Sequence, residues 1–328
     1  MLLLVVATVF ALASCGDKKD GGETGKAEGP YPVTITTYDG DGQEIKETFD
    51  KAPDKVIAVY QGNIETMIAL GLEDKVIASY GLDNEVKPEW KAGFEKMHYQ
   101  NKPFAPDKEL VLSQKPDFIF SWGSLFGPKT LGSGKDWVDK GINIYINTNT
   151  RKDGSRTLDN EYNDILNIGK IFNVEKKATE LVDSMKDKIK KVKDQVGKDQ
   201  SVSVAILEPE KEGTLRNYGK ESLGGDMVTQ LGGKLVAPDA KSMGKEDLLK
   251  ADPDTIFVVY MAYAGDNPEE VKAKQLDAIM KDPAFASLKA VKNNNVHLIM
   301  LGDMYASGPR TADGIEAFAK GMYPNIKL

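Results

Sequence analysis

NVEKKATELVDSMKDKIKKVKDQVG, Asn173 to Gly197, lies near the middle of a chain of 328 residues and decides how the rest divides. Its apolar residues Val174, Ala178, Leu181, Val182, Met185, Ile189, Val192 and Val196 recur mostly at steps of three and four, with lysines and acids between them. That spacing predicts one amphipathic helix. Asn173 is expected as its N-cap, Glu175 as the first-turn acid favoured by the helix dipole, and Gly197 as its stop. At 1.5 Å per residue the segment spans about 35 Å, the width of a small domain. Alternating strand and helix patterns flank it on both sides, so it is expected to join two lobes.

Upstream, a hairpin is expected from Val33–Tyr38 and Glu44–Phe49 around Asp39-Gly40-Asp41-Gly42. Short apolar strands then alternate with helices: Val56–Val59, helix Ile64–Leu72, Val76–Ser79, helix Glu109–Leu112, Phe118–Ser121, helix Trp137–Lys140 and Ile142–Ile146. Beyond the long helix, strands are expected at Val202–Leu207, Ile256–Tyr260 and Val296–Met300, with helices at Asp226–Leu231, Leu276–Met280 and Thr311–Met322. Such alternation implies parallel sheets covered by helices. The fold class is therefore α/β, with two Rossmann-like lobes of mostly parallel sheet joined by one long helix. The N-terminal lobe is assigned to 31–172, the interlobe helix to 173–197 and the C-terminal lobe to 198–328. An internal echo supports two related lobes: ELVLSQKPDFIF from Glu109 lies over EDLLKADPDTIF from Glu246. Each has an acid, a short helix, Pro-Asp and a strand.

Composition narrows the function. With 41% apolar and 28% charged residues, the chain can bury real cores, and its net charge of −7 with no basic arm argues against a nucleic-acid partner. The single cysteine, Cys15, follows an apolar run, Leu2 to Ala13, too short to span a bilayer. The sequence Leu12-Ala13-Ser14-Cys15-Gly16 resembles the lipobox of bacterial lipoproteins. The resemblance implies a signal peptide over 1–14, a diacylglyceryl group on Cys15 and a location on the extracytoplasmic face of the cell membrane. Residues 1–14 depart from a secretory signal in having no Lys or Arg, which a start further upstream would supply. Residues 15–30, rich in Gly, Lys and acids, have the composition of a flexible tether.

No catalytic motif stands near either histidine, His98 or His297. His297 falls in a strand and is expected to be structural, whereas His98 beside Met97 and Tyr99 could line a cleft. No metal site is expected, since such sites combine several His or Cys ligands. Open αβ sheets bind ligands at the loops after their strands. Here those loops carry Tyr60, Trp122, Arg216, Tyr218, Tyr260, Tyr263, Tyr305 and Arg310, mostly flanked by glycine. Aromatic rings offer apolar area with a polar tip, and glycine lets a bulky ligand approach the backbone. Only four of the 43 basic residues are arginine. Where lysine is the default surface cation, Arg216 and Arg310 point to bidentate recognition of ligand oxygens, with loop-fixing ion pairs as the competing role. Arg151 and Arg156 are expected at the surface or between lobes.

Several features occur here in a distinctive order: the hairpin entry; DKVIAV from Asp54 followed by ETMIALGL from Glu65; the two Glu…Pro-Asp units; the single interlobe helix; and Ser307-Gly308-Pro309-Arg310 before Tyr323-Pro324. In that order they resemble the substrate-binding proteins of ABC importers for iron siderophores, haem and vitamin B12. The resemblance implies a rigid, monomeric two-lobed binder without enzymatic activity or cofactor. Its ligand, an Fe(III)-siderophore by this reading, would sit between the lobes, with haem or cobalamin as the alternatives. A lipid-anchored enzyme or adhesion module is the reading from another class. The resemblance also implies that Glu109 and Glu246, by composition only helix-start acids, dock onto arginines of a permease dimer with its ATPase. If Cys15 carries the anchor, Cys15→Ala should shift the protein from membrane to soluble fractions with ligand affinity unchanged; equal palmitate incorporation by the variant would refute it.

Overall fold

The computed structural model describes residues 30–197, 201–210 and 213–328; Cys15, the 1–14 signal and the tether up to residue 29 lie outside the described residues. Strands β1 (Val33–Tyr38) and β2 (Glu44–Phe49) form the expected antiparallel hairpin, Val33 opposite Phe49. Asp39 closes its turn by accepting hydrogen bonds from the backbone N–H groups of Asp41 and Gln43 at 3.0 and 2.8 Å. That is the Asx-turn chemistry that favours Asp there.

Strands β3 (Val56–Val59), β4 (Val76–Tyr80), β5 (Phe118–Ser121) and β6 (Asn143–Ile146) make a parallel sheet in the order β4-β3-β5-β6. The second sheet contains β7 (Ser203–Pro209), β8 (Leu215–Asn217), β9 (Lys234–Leu235), β10 (Ser242–Met243), β11 (Thr255–Tyr260) and β12 (Val296–Met300). Its parallel part runs β9-β7-β11-β12, and β8 with β10 adds an antiparallel flap at the end of β7. Leaving the flap aside, both sheets follow one order: second strand, first, third, fourth. Val56–Val59, Ile256 and Val258 are fully buried, as central parallel strands covered on both faces must be.

The echo in the sequence is a structural repeat. Helices Lys108–Ser113 and Lys245–Ala251 each precede the third strand of their sheet, with Glu109 and Glu246 at the same second helical position. Lys115 and Asp252, the residues before the two prolines, both adopt positive φ, 53° and 39°. Each following aspartate grips the start of the first strand. Asp117 accepts from the N–H groups of Asp54 and Lys55 at 3.0 and 2.8 Å, and Asp254 accepts from Ser203 N and Oγ at 3.0 and 2.6 Å. Pro-Asp thus ties the third strand to the first in each lobe.

The long helix runs from Glu175 to Val196 and ends at Gly197, φ 72°. Ala178, Val182, Met185, Ile189 and Val192 form its buried stripe, wedged between helices Leu158–Ile171 and Thr311–Met322. Near its start Lys177 Nζ donates to Leu70 O at 3.1 Å, and further along Lys188 Nζ meets Glu316 Oε2 at 2.6 Å. Each end is therefore tied to a different lobe.

Asn173 is not the N-cap. Val174 holds that position, and no side chain caps the helix. Asn173, with φ 56°, closes Leu158–Ile171, a helix absent from the sequence-based prediction. The N–H of Val174 bonds to Gly169 O at 2.8 Å and that of Asn173 to Lys170 O at 3.3 Å, the paired bonds of a Schellman ending. Asparagine tolerates the left-handed region, which suits it to that ending. A Cβ on Gly169 would lie 2.5 Å from Ala178 Cβ, so only glycine admits this close corner. Among the described residues no helix is long and apolar enough to cross a membrane.

Candidate functional site

The lobes meet where the helix Gln61–Ala69 of the first packs against Gly308–Arg310 of the second. A Cβ on Gly62 would stand 2.7 Å from Ala306 O, so the backbones touch. Across this seam Arg310 donates from Nε to Glu65 Oε2 at 2.6 Å and from Nη2 to Glu65 Oε1 at 2.7 Å, and also to Glu85 O at 3.0 Å. Both partners are buried. Burial pushes the Glu65 carboxyl upward against the attraction of Arg310, and the two-pronged contact is that of an ion pair. A second tie joins Gly308 N to Glu161 Oε2 at 2.8 Å.

Above the seam opens a cavity of about 280 Å³. Tyr60, Trp122, Arg216, Tyr218, Tyr263, Tyr305 and Arg310 line it. Tyr60 and Trp122, each following a strand of the first sheet, stack with ring centroids 4.0 Å apart and 9° between planes. Tyr60 holds φ at 79°, an uncommon value for a bulky residue, and its N–H is fixed by Tyr80 O at 2.8 Å. Tyr305 from the other lobe tilts against Trp122 at 5.8 Å, and the Arg156 guanidinium lies 4.5 Å from the Tyr305 ring. Arg156 is thus an interlobe residue, while Arg151 covers Tyr38 at 4.3 Å.

The two arginines singled out by the sequence differ in what they have free. Arg216 is half exposed on β8, 3.8 Å from Glu208 Oε2, and Glu208 is held by the Tyr218 hydroxyl at 2.6 Å. Its guanidinium therefore keeps donors for a ligand. Arg310 is committed to Glu65 and Glu85 O, and its Nη1 lies 3.9 Å from Asp303, so it builds the seam beneath the cavity. Its Nε/Nη2 fork thus serves the loop-fixing ion pair that the sequence offered as the competing role, while Nη1 makes no hydrogen bond among the described residues. Tyr260 lies off the cavity, with Lys272 Nζ 5.6 Å from its ring centroid. His98 is exposed at φ 47° and does not line the cavity. His297 pairs with Asn295 Oδ1 at 2.8 Å, and burial lowers its pKa.

The sequence reading missed Asp83 and Asn84, which also line the cavity together with Gln61 and Met261 from the loops that carry Tyr60 and Tyr263. Asp83 and Asn84 lie in the loop a few residues after the expected strand Val76–Ser79, and that position after a strand was the available signal. Burial alone raises the Asp83 carboxyl to about 6. Trp122 Nε1 and Asn84 Oδ1 are buried with no hydrogen-bond partner among the described residues. Among the described residues no group of three His, Cys, Asp or Glu is placed to hold a metal ion.

Residues 56–300 match the family described as periplasmic binding protein, and the chain belongs to that family. It is 30% identical over 331 residues to the uncharacterized ABC transporter substrate-binding lipoprotein YvrC of Bacillus subtilis, covering 98% of this chain and 96% of that one. The petrobactin-binding protein YclQ of the same organism is 23% identical over 94% of this chain and 92% of its own length. Among solved structures, a periplasmic binding protein from Veillonella parvula superposes with a TM-score of 0.82 at 28% identity, covering 90% of this chain and 92% of its own.

The buried carboxyls around the seam set a pH dependence. Burial raises Glu161 to about 8, and Asp164 and Asp303 to about 7, each above its unfolded value. The folded state then binds more protons than the unfolded one between their unfolded and folded pKa values, so stability falls as pH rises through that window. His297, with its lowered pKa, opposes the trend, and Glu316, lowered to about 2, acts only at more acidic pH. Melting temperature should therefore drop from pH 5 to pH 8, with a smaller drop in Asp303→Asn. A flat or rising curve would contradict this assignment.

Proposed function

We propose that this member of the periplasmic binding protein family is the lipid-anchored substrate-binding component of an ABC importer, and that its cargo is a ferric siderophore. The observation that carries the reading is the interlobe cavity itself, where the stacked Tyr60–Trp122 pair and Tyr305 face a half-exposed Arg216. Rings pack against the apolar body of an iron chelate, and the half-exposed Arg216 guanidinium donates hydrogen bonds to its oxygens. The naming of YclQ for petrobactin and of YvrC as a substrate-binding lipoprotein supports the same reading. The lobes, 31–172 and 198–328, hold the cargo with little relative movement because the 173–197 segment and the Arg310–Glu65 seam brace them. The protein works by binding and delivery, without catalysis.

Delivery needs a surface that a permease reads. Glu109 and Glu246 are both exposed at equivalent positions of equivalent helices, one on each lobe, which suits a permease of two subunits. The anchor on Cys15 would hold this pair near the membrane.

Titration of Trp122 fluorescence with ferric hydroxamates, ferric catecholates, haemin and cobalamin tests the cargo. A response to haemin or cobalamin alone would replace the siderophore. Arg216→Ala should weaken binding of the ferric complex by about 1.5–3 kcal/mol without lowering the melting temperature. Arg310→Ala should instead lower stability, by about 3–5 kcal/mol, since it leaves Glu65 buried and unpaired. Equal affinities for Arg216→Ala and wild type would assign that arginine to the surface. Replacing Glu109 and Glu246 together by Ala should leave the dissociation constant unchanged while sharply reducing uptake by cells. Because exposed ion pairs contribute under about 1 kcal/mol each, the double variant should exceed either single one. Normal uptake would refute the docking role.

A further inference from the structure

The cavity is not chemically uniform. Arg216 stands on the wall built by β8, while Trp122 Nε1, on the facing lobe, is a buried donor without a partner among the described residues. On the side built by the loop after β4, the unpaired groups are acceptors. Asp83 is half-buried in the cavity wall, and among the described residues its carboxylate has neither ion pair nor hydrogen-bond donor, while Asn84 Oδ1 beside it is buried without a partner. The cavity's own cations do not serve Asp83. Arg310 is held by Glu65 and Arg216 faces Glu208, and no lysine lines the cavity among the described residues. Burial raises Asp83 only to about 6, so at neutral pH it remains largely ionised. Its charge is felt by the Tyr60 and Tyr263 hydroxyls, whose pKa values rise first through burial and then through Asp83.

The position of this carboxylate is fixed from both lobes. Asp83 O accepts from Ala264 N at 3.0 Å, which ties its loop to the one carrying Tyr263, and Asn84 N donates to Gln61 Oε1 at 3.2 Å. Tyr263 N donates to Asp266 Oδ2 at 3.0 Å, and its ring is exposed at the cavity mouth. A half-buried carboxylate without a counter-ion, beside aromatic rings on a braced loop, is partly desolvated and gains by pairing with a cation. Rings next to that charge add attraction for an ammonium group.

We infer that Asp83, with Tyr60 and Tyr263, forms a subsite for a protonated amine, so that the preferred cargo carries an ammonium group beside its iron-binding oxygens. The inference rests on the siderophore reading and deepens it: Arg216 takes the oxygen-rich chelate and Asp83 the amine, which sets the orientation of the cargo in the cleft.

Ferrioxamine B, whose ferric trihydroxamate bears a pendant ammonium, and its neutral N-acetyl derivative separate the two interactions. Titrated into the purified full chain, ferrioxamine B should bind at least about tenfold more tightly than the acetylated complex, the ratio expected of a charge-assisted hydrogen bond. Asp83→Asn should erase that difference by weakening ferrioxamine B alone, and Asp83→Glu should restore part of it. A circular-dichroism spectrum of Asp83→Asn that matches the wild type shows that the variant is folded. Equal affinity of the wild type for the two complexes would overturn the amine subsite and leave the siderophore reading standing. If neither complex binds, the hydroxamate reading falls and a chelate-free pair decides the subsite. A saturable shift of the Trp122 indole N–H resonance with n-pentylammonium, absent with n-pentanol and absent in Asp83→Asn, supports it. Identical responses to the two, or none, overturn it.

Discussion

Arg310 and Glu65 lie 245 residues apart in sequence and meet through two hydrogen bonds of 2.6 and 2.7 Å in the buried seam between the lobes. An ion pair taken out of water is tolerable only when its geometry is good and its remaining donors are satisfied. The geometry is good here, Glu85 O takes the spare Nη2 proton and Gln61 Nε2 donates to Glu65 Oε1 at 2.7 Å, while Nη1 stands 3.9 Å from Asp303 Oδ1. The pair fixes how Gly62 and Gly308 approach, and that contact is the floor of the cavity. Every side chain that lines the cleft is positioned relative to this floor.

The long helix supplies the complementary restraint on the far side. Its buried stripe from Ala178 to Val192 packs on helices from both lobes, and its polar ends are tied to Leu70 O and to Lys327 O, the latter through Gln195 Nε2 at 2.7 Å. With a braced floor and a braced back, opening the cleft would require breaking an ion pair, backbone contacts and an apolar interface together. Such a frame suits recognition by a formed cavity rather than by large closure.

Each lobe is built on the same internal logic. A positive-φ residue, a proline and an aspartate turn the chain from a short helix into the third strand, and the aspartate then holds the first strand. The exposed Glu109 and Glu246 inherit equivalent positions from this repeat. The cavity breaks the symmetry. One lobe contributes the Tyr60–Trp122 stack and Asp83, the other the β8 flap with Arg216, and the two walls differ in charge as a result.

Local chemistry was enough to determine the α/β class, the hairpin at its observed strands, β3, β5 and β12, the long helix with its apolar stripe, and the repeat around Pro-Asp. Those features depend on periodicity, turn residues and proline, which act within a few positions of themselves. The helix Leu158–Ile171 escaped because its inward face carries Glu161 and Asp164, carboxylates that an apolar pattern excludes. Their partners, Gly308 N, Asn149 and Thr148, lie outside that helix, one of them in the other lobe. Asn173 was assigned to the wrong helix for the same reason, since an unseen preceding helix leaves its left-handed ending looking like a cap. Tertiary structure alone decided that Arg310 binds a carboxylate, that Tyr263 lines the cavity while Tyr260 does not, and that Asp83 stands half-buried in its wall with no ion pair among the described residues. A side chain's type states which contacts it can make, but which contact it does make depends on what distant segments bring within about 3 Å of it.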